Sequence, residues 1–581
     1  MDSDTTTTVI DHLTIGRIRG IKYSEASNRF LGMQYATLKD RFSRAELVRY
    51  SDHDQARASN GILDATKFGP VGLISPNACE LEQGLVQKAL PFVPLPISDT
   101  ECLTLNITAP SLASTTSQAY LLPVLAFVHG GGFTTGSSSF PQNELARITE
   151  VSIQAGMPMI SVNINYRVGA PGFLHSPDMA AVGYRSNNGL QDQRLALYWI
   201  QEHIAGFGGD PQRVTYLGES AGATSGFYHL HNPGPYFHQF VSMSGTALLR
   251  PRPTAAVHIS FQRICEALGA KDEDSPRVKV NRLVNTPSED FVTRTARPYI
   301  LGPIVDEEII PRVTTFESLR EEAEFVKLFP GVLQCKRLLI GDCQFDGMIW
   351  ASRLAGREDV FPRTLLGCLA EIFDPIDPSV AERLARAYHL DASTPINTPE
   401  TTQSVLEFGN DITFFLPARE FAKAWARSVP SSDQISGRVS FLYHFNASNP
   451  WPGPWTGQST HDLDLMFALQ NYREHLSPGQ QRCGDKVALD LIRFVHGEDP
   501  WPAFDAKGSN RCQAMVYSAP TDRETDESEY VDVQNEIRCR SGNVDGFDQL
   551  TGRRTLIQMT VKEQYFDRLF DAWNLFMLGP R

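Results

Sequence analysis

The chain has 581 residues, of which 41% are hydrophobic and 10% aromatic, enough to build a large folded core. It carries 53 lysines and arginines against 67 aspartates and glutamates, a net charge of −14. This excess of acid disfavours nucleic acid and anionic lipid as partners. No stretch approaches the roughly 18 apolar residues that a membrane span needs, so we expect none.

The N-terminus begins Met1-Asp2-Ser3-Asp4 and continues with four threonines. It has neither the basic part nor the apolar part of a secretory signal, which predicts a cytoplasmic protein, although secretion by another route stays open. The nine cysteines are scattered and form no CxxC pair, which disfavours zinc-ribbon and thioredoxin-type sites. We therefore expect mostly buried thiols.

Short apolar runs alternate with a helical period along much of the chain. The predicted elements are strands at Val124 to Val128, Ile160 to Ile164, Val214 to Leu217 and Val439 to Phe445, and a helix at Leu190 to Phe207. Strands that alternate with helices predict an α/β fold, in which a mostly parallel sheet is covered by helices on both faces. Functional side chains are then expected just after the strands end.

A candidate nucleophile follows one of these strands. Directly after Val214 to Leu217 the chain reads Gly-Glu-Ser-Ala-Gly over residues 218–222, and a helical pattern follows. A serine between a strand and a helix, flanked by glycines, is typical of the strained turn that presents a catalytic serine. Ser220 is therefore the candidate nucleophile, and a small-residue turn with a capping serine is the alternative.

A glycine run follows the strand that ends at Val128. The residues from His129 to Phe133 read His-Gly-Gly-Gly-Phe. Glycine backbone can offer N–H donors to a tetrahedral oxyanion without obstruction by side chains. We expect Gly131, Gly132 and the residue after the nucleophile, Ala221, to form an oxyanion hole.

Together these motifs resemble the type-B carboxylesterase family, the cholinesterase-like branch of the α/β-hydrolases. The resemblance runs from about residue 15 to the C-terminus, is weaker after residue 250, and is closest to intracellular fungal members. Further matching segments are Asn165-Tyr166-Arg167, Phe207-Gly-Gly-Asp-Pro211, Phe68-Gly69-Pro70 and Leu103-Thr104-Leu105-Asn106. The resemblance implies an α/β-hydrolase fold with long insertions and a serine esterase that needs no metal or cofactor.

The general base must lie after Ser220, because the order of the triad in this fold is serine, acid, histidine. His461 follows a predicted strand and a loop rich in Gly, Pro and Trp, and the segment from Thr460 to Asp464 resembles the family's histidine segment. His444 is the rival, but it lies inside a strand pattern.

The acid of the triad is expected after the apolar run at Leu338 to Ile340, which resembles a strand and loop of the family. By resemblance it is Asp346, where the family usually has glutamate, and Asp342 is the alternative. Asp306 and Glu308 are further candidates. Two supporting residues also follow from the resemblance: Glu219, next to the nucleophile, and Ser244, which is expected to bond near the acid.

The family's disulfide near Phe68-Gly69-Pro70 is not matched, because Val71 and Gly72 follow. Cys102 is present and Cys79 is a possible partner, but without a signal peptide we expect both to be reduced. The loop from Glu80 to Glu101 has no tryptophan, which argues against a quaternary ammonium substrate.

The sequence thus predicts a serine carboxylesterase that acts on a small-molecule ester through an acyl-enzyme. Because Ser220 and His461 must meet in one site, residues 1–581 are expected to form a single domain. One alternative keeps the triad but acts as an acyltransferase, a lactonase or a thioesterase in a biosynthetic pathway. Another is a non-catalytic interaction protein. The sequence does not predict the physiological ester or the oligomeric state.

Overall fold

A computed structural model describes residues 6–50, 61–111, 121–390, 394–427, 437–504, 513–519, 528–532, 554, 557 and 560–579. The strands are β1 Thr7–His12, β2 Gly16–Lys22, β3 Ser27–Gln34, β4 Ala36–Thr37, β5 Glu46–Leu47, β6 Ile62–Asp64, β7 Thr104–Pro110, β8 Leu122–Val128, β9 Ile160–Ile164, β10 Gly209–Glu219, β11 Gln239–Met243, β12 Arg337–Cys343, β13 Val439–Phe445, β14 Gln513–Tyr517 and β15 Glu529–Asp532.

Most of these strands form one sheet, in the order β1-β2-β3-β7-β9-β8-β10-β11-β12-β13-β14-β15, with β6 paired to β2. From β9 through β14 all neighbouring pairs are parallel, and antiparallel strands flank this block on both sides. The central sheet is therefore mostly parallel, as the alternation of strands and helices predicted.

Helices cover the sheet and fill the connections. The α-helices span Ala78–Gln83, Ala146–Gln154, Gly169–Phe173, Pro177–Ala181, Asn188–His203, Ala221–His229, Thr254–Ala267, Pro276–Asn285, Ser288–Arg294, Phe316–Arg320, Glu322–Leu328, Ala351–Leu354, Phe361–Phe373, Ser379–Ala387, Pro399–Asn410, Leu416–Ala426, Leu463–Leu469, Pro478–Val495 and Phe566–Leu578. No helix in these ranges is long and apolar enough to cross a membrane.

Both faces of the sheet are buried. Along β8, Val124, Ala126 and Val128 join one apolar cluster, whereas Leu125 and Phe127 join another. Successive side chains of a strand point to opposite faces, so two cores sandwich the sheet. The α/β-hydrolase fold expected from the sequence is confirmed.

The predicted elements differ from the observed ones mainly at their ends. The strands at Ile160–Ile164 and Val439–Phe445 have the predicted bounds. The helix begins at Asn188 and ends at His203, and a 3₁₀ turn over Ile204–Phe207 completes the predicted range. β10 is longer than predicted because it starts at Gly209, which pairs with Leu122 across a bulge.

Candidate active site

Ser220 lies in the turn between β10 and the helix Ala221–His229, with left-handed φ of 51° and ψ of −116°. Ser220 is half-buried, and this strained conformation places it in the wall of a cavity. A Cβ on Gly222 would stand 2.0 Å from the carbonyl oxygen of Val128, and one on Gly245 would stand 2.2 Å from that of Ser220. Only glycine allows the chains to approach so closely.

The glycine turn after β8 faces the same cavity. Gly131 and Gly132 have φ of 92° and 60°, and Gly132 is exposed and lines the cavity beside Ser220. None of the hydrogen bonds between described residues uses the backbone N–H of either glycine. Ala221 is the first residue of its helix, so its N–H has no acceptor in a preceding turn. These N–H groups are available to an oxyanion.

His461 lies between two carboxylates, one of which belongs to the residue before the candidate nucleophile. Its Nδ1 is 2.6 Å from Asp346 Oδ1, and its Nε2 is 3.1 Å from Glu219 Oε1. Glu219 precedes Ser220 in the chain, so this contact brings the imidazole to the nucleophile turn. The Ser220 hydroxyl and His461 form no hydrogen bond in the described contacts, and hydrogen bonds of this kind often close only when substrate binds.

Asp346 is held from three sides. Its Oδ2 accepts hydrogen bonds from the Ser244 hydroxyl at 3.1 Å and from the Cys343 backbone N–H at 2.8 Å, while Oδ1 contacts His461. Ser244 also has left-handed φ, 49°, at the end of β11. The structure thus gathers Ser220, Asp346, His461, Glu219 and Ser244 at the carboxyl ends of β10, β11, β12 and β13.

The rival residues are used elsewhere. Asp342 pairs with His444 Nδ1 at 2.5 Å and with Arg554 at 2.7 Å, inside the sheet. Asp306 accepts hydrogen bonds from Asn187 and from the Ile309 and Ile310 backbone. Glu308 forms ion pairs with Arg44 and Arg185. None of the three acids contacts His461.

Burial alone would lower the pKa of His461. The charge of Glu219 and the hydrogen bond to Asp346 oppose burial and raise that pKa well above its usual value. Burial raises the pKa of Asp346 to about 6, although its bond to His461 opposes this shift. The imidazole is therefore a strengthened base whose protonated form the two carboxylates stabilise.

Two more carboxyls crowd the back of the site, and the sequence did not single them out. Asp462 has a left-handed φ of 73°, and burial together with the Glu219 charge raises its pKa well above the usual value. Glu82 lies behind the glycine turn, and burial and Asp462 raise its pKa to about 8. In the sequence, Asp462 could have been noticed only as an acidic residue directly after the candidate histidine. Glu82 has no such signal, because it lies far from His461 along the chain.

Cys79 and Cys102 are buried free thiols in the structure, as expected from the sequence. Burial raises the pKa of each thiol to about 12, so neither is a nucleophile at neutral pH.

Comparison with known proteins gives a consistent family match. The sequence profile of the carboxylesterase family matches residues 6–536. Pyrethroid hydrolase Ces2a of Mus musculus is 30% identical over 469 residues, 79% of this chain and 77% of that protein. Lipase 2 of Diutina rugosa is 38% identical over 188 residues, but these are only 31% of this chain and 33% of the lipase. A solved PNB esterase superposes with a TM-score of 0.66 at 23% identity, covering 92% of this chain and 99% of the esterase.

Proposed function

Since the chain belongs to the carboxylesterase family, we propose that it is a serine esterase that hydrolyses small carboxylic esters through an acyl-enzyme. The observation that carries the proposal is the chain of contacts from Asp346 through His461 to the turn that bears Ser220. A serine hydroxyl is a weak nucleophile, and such an arrangement supplies the base that it needs.

In the proposed reaction, His461 accepts the Ser220 proton as Oγ attacks the ester carbonyl. The oxyanion receives hydrogen bonds from the N–H groups of Gly131, Gly132 and Ala221, and collapse of the intermediate expels the alcohol, which takes the proton from His461. Water then attacks the acyl-enzyme in the same way and releases the acid. Asp346 holds the imidazole in position, and Ser244 and the Cys343 N–H fix Asp346 in turn.

We expect Ser220→Ala to lower kcat for a chromogenic short-chain ester by a factor on the order of 10⁴ or more. The same change should abolish labelling by a fluorophosphonate, because the reagent reacts with the activated hydroxyl. Labelled protein is mapped by peptide mass spectrometry.

Ser352→Ala removes an exposed serine and serves as the control, with wild-type turnover and labelling expected. Circular dichroism shows whether both variants fold. Normal turnover by a folded Ser220→Ala variant would refute the proposal.

A further inference from the structure

The cavity in front of Ser220 has a volume of about 300 Å³ and is lined by positively charged side chains. Three arginines, Arg250, Arg252 and Arg353, line it together with Ser220 and apolar side chains. Among the described residues that line this cavity there is no aspartate or glutamate. A pocket for a neutral ester needs apolar surface and a few polar groups, not three cations.

Among the described residues, Arg250 alone of the three arginines has carboxylate partners. Arg250 forms ion pairs with Asp571 at 2.9 Å and with Asp567 at 3.4 Å. Within the described chain, no carboxylate lies within 4.0 Å of Arg252 or Arg353, although the protein has an excess of acidic residues. Two guanidinium groups therefore line the same cavity without a carboxylate partner among the described residues.

Arg353 is exposed, whereas the surroundings of Arg252 disfavour its charge. Arg252 is half-buried, and burial together with the Arg353 cation lowers the pKa of its guanidinium, which nevertheless stays charged at neutral pH. The Arg353 guanidinium lies 5.5 Å from the ring of Trp350, which supports it on one side. An anion bound between these cations would relieve their repulsion and would give Arg252 a partner in place of the water that its partial burial removes.

The positive lining continues beyond the first cavity. A second cavity of about 690 Å³ shares Arg353 and Tyr299 with it, and a third of about 790 Å³ adjoins at Tyr299. The third is lined by the exposed arginines Arg263, Arg294 and Arg297 and by a single acid, Glu266. The positive charge thus extends from the nucleophile to the surface.

From this lining we infer that the substrate is an ester carrying a second, ionised carboxylate, which Arg252 and Arg353 bind while Ser220 attacks the ester carbonyl. The inference rests on the proposed esterase function and adds the substrate class. Guanidinium groups suit this role because each offers two parallel N–H donors to a carboxylate. The more distant arginines attract the anion toward the cavity.

The test compares matched esters. The mono-4-nitrophenyl ester of adipic acid and 4-nitrophenyl hexanoate have acyl chains of equal length, but only the first ends in a carboxylate. A second pair, 4-carboxyphenyl hexanoate and phenyl hexanoate, places the charge on the leaving group. We expect wild-type kcat/KM to be about tenfold higher for the anionic ester in at least one pair. This factor corresponds to the free energy of about one hydrogen bond to a charged group.

Arg252→Gln and Arg353→Gln should each lower kcat/KM about tenfold more for the favoured anionic ester than for its neutral counterpart. Arg353→Lys should retain part of the preference, since it keeps the charge but loses the planar fork. Arg277→Gln is the matched control, because Arg277 is exposed and lines none of the three cavities.

Preference for the neutral ester in both pairs, or an equal loss on both esters in the variants, would overturn the inference and leave the esterase proposal standing. No turnover of any of the four esters, combined with no fluorophosphonate labelling of Ser220, would instead refute the esterase function itself. Thermal unfolding of each variant shows whether a loss reflects folding.

Discussion

Two carboxylates contact the imidazole of His461, one at each ring nitrogen. Asp346 alone would orient the ring, and the Glu219 charge adds a second stabilisation of the protonated form. In the proposed mechanism only the neutral imidazole can accept the Ser220 proton, so activity should be lost as pH falls through the pKa of His461. Because that pKa is raised, the loss should begin at a higher pH than for an ordinary histidine.

Glu219→Gln removes one of these charges and should move the acid limb of the kcat/KM profile to lower pH. The sign follows from the cause: without the carboxylate the protonated imidazole is less stable, so its pKa falls and the base stays neutral in more acidic solution. The profile is measured with a neutral chromogenic ester. Glu308→Gln, which changes a carboxylate ion-paired with Arg44 and Arg185, is the control. An acid limb that stays in place or moves to higher pH would contradict this role of Glu219.

Among the elements, the turn from β10 into the helix Ala221–His229 depends most strictly on glycine. The Cβ that Gly222 lacks would lie 2.0 Å from the backbone of Val128, and this contact cannot relax by a side-chain rotation. A larger residue must push the helix away from β8, and the glycine turn of the proposed oxyanion hole follows β8. Stability and catalysis therefore depend on the same close approach.

Gly222→Ala should lower the free energy of unfolding by about 3 kcal/mol and reduce turnover even where the protein remains folded. Gly367→Ala is the matched control: this glycine lies inside the helix Phe361–Phe373, and a Cβ there would meet nothing within 4 Å. It should stabilise the protein by about 0.5–1 kcal/mol. Thermal unfolding and ester turnover of the two variants test both expectations, and wild-type stability of Gly222→Ala would show that the turn tolerates a side chain.

At this scale the sequence predicted much, but not the pairing between elements. Strands with β-branched and aromatic runs, such as Ile160–Ile164, were predicted with their bounds. The choice between Asp342 and Asp346 stayed open because both follow the same apolar run. Strand register separates them: Asp342 lies inside β12 directly opposite His444 of β13, whereas Asp346 lies beyond the strand end. That register arises from long-range packing, which local patterns do not encode.

The same limit applies to the candidate site. Motifs with a fixed local geometry, the glycine turn and the Gly-Glu-Ser-Ala-Gly segment, could be found from spacing alone. The cavity arginines could not, since Arg252 and Arg353 lie a hundred residues apart in segments without a motif. The carboxyl of Glu82 comes from a third region, and only the folded sheet brings it behind Gly131.

On the scale of the whole molecule, a net charge of −14 surrounds a cavity lined by cations. An anionic substrate is repelled by the general surface and attracted at the cavity. At ionic strength near 1 M the screening length falls to about 3 Å, from about 10 Å at 0.1 M, so only direct contacts persist.

Raising the salt concentration from 0.1 M to 1 M should therefore lower kcat/KM for the favoured anionic ester several-fold through the arginines. The neutral ester of the same pair is the internal control and should change little. Equal responses of both esters, measured as initial rates at constant pH, would contradict electrostatic attraction at the cavity.

Because the candidate site is assembled from the ends of four strands, it can be completed only late in synthesis of the chain. The serine turn leaves the ribosome well before β12 and β13, since His461 follows Ser220 by 241 positions. At 5–20 residues per second this interval is roughly 12–50 s. During that time the nascent chain holds a serine without its base, so a ribosome-bound chain that stops before residue 461 should be unreactive toward esters.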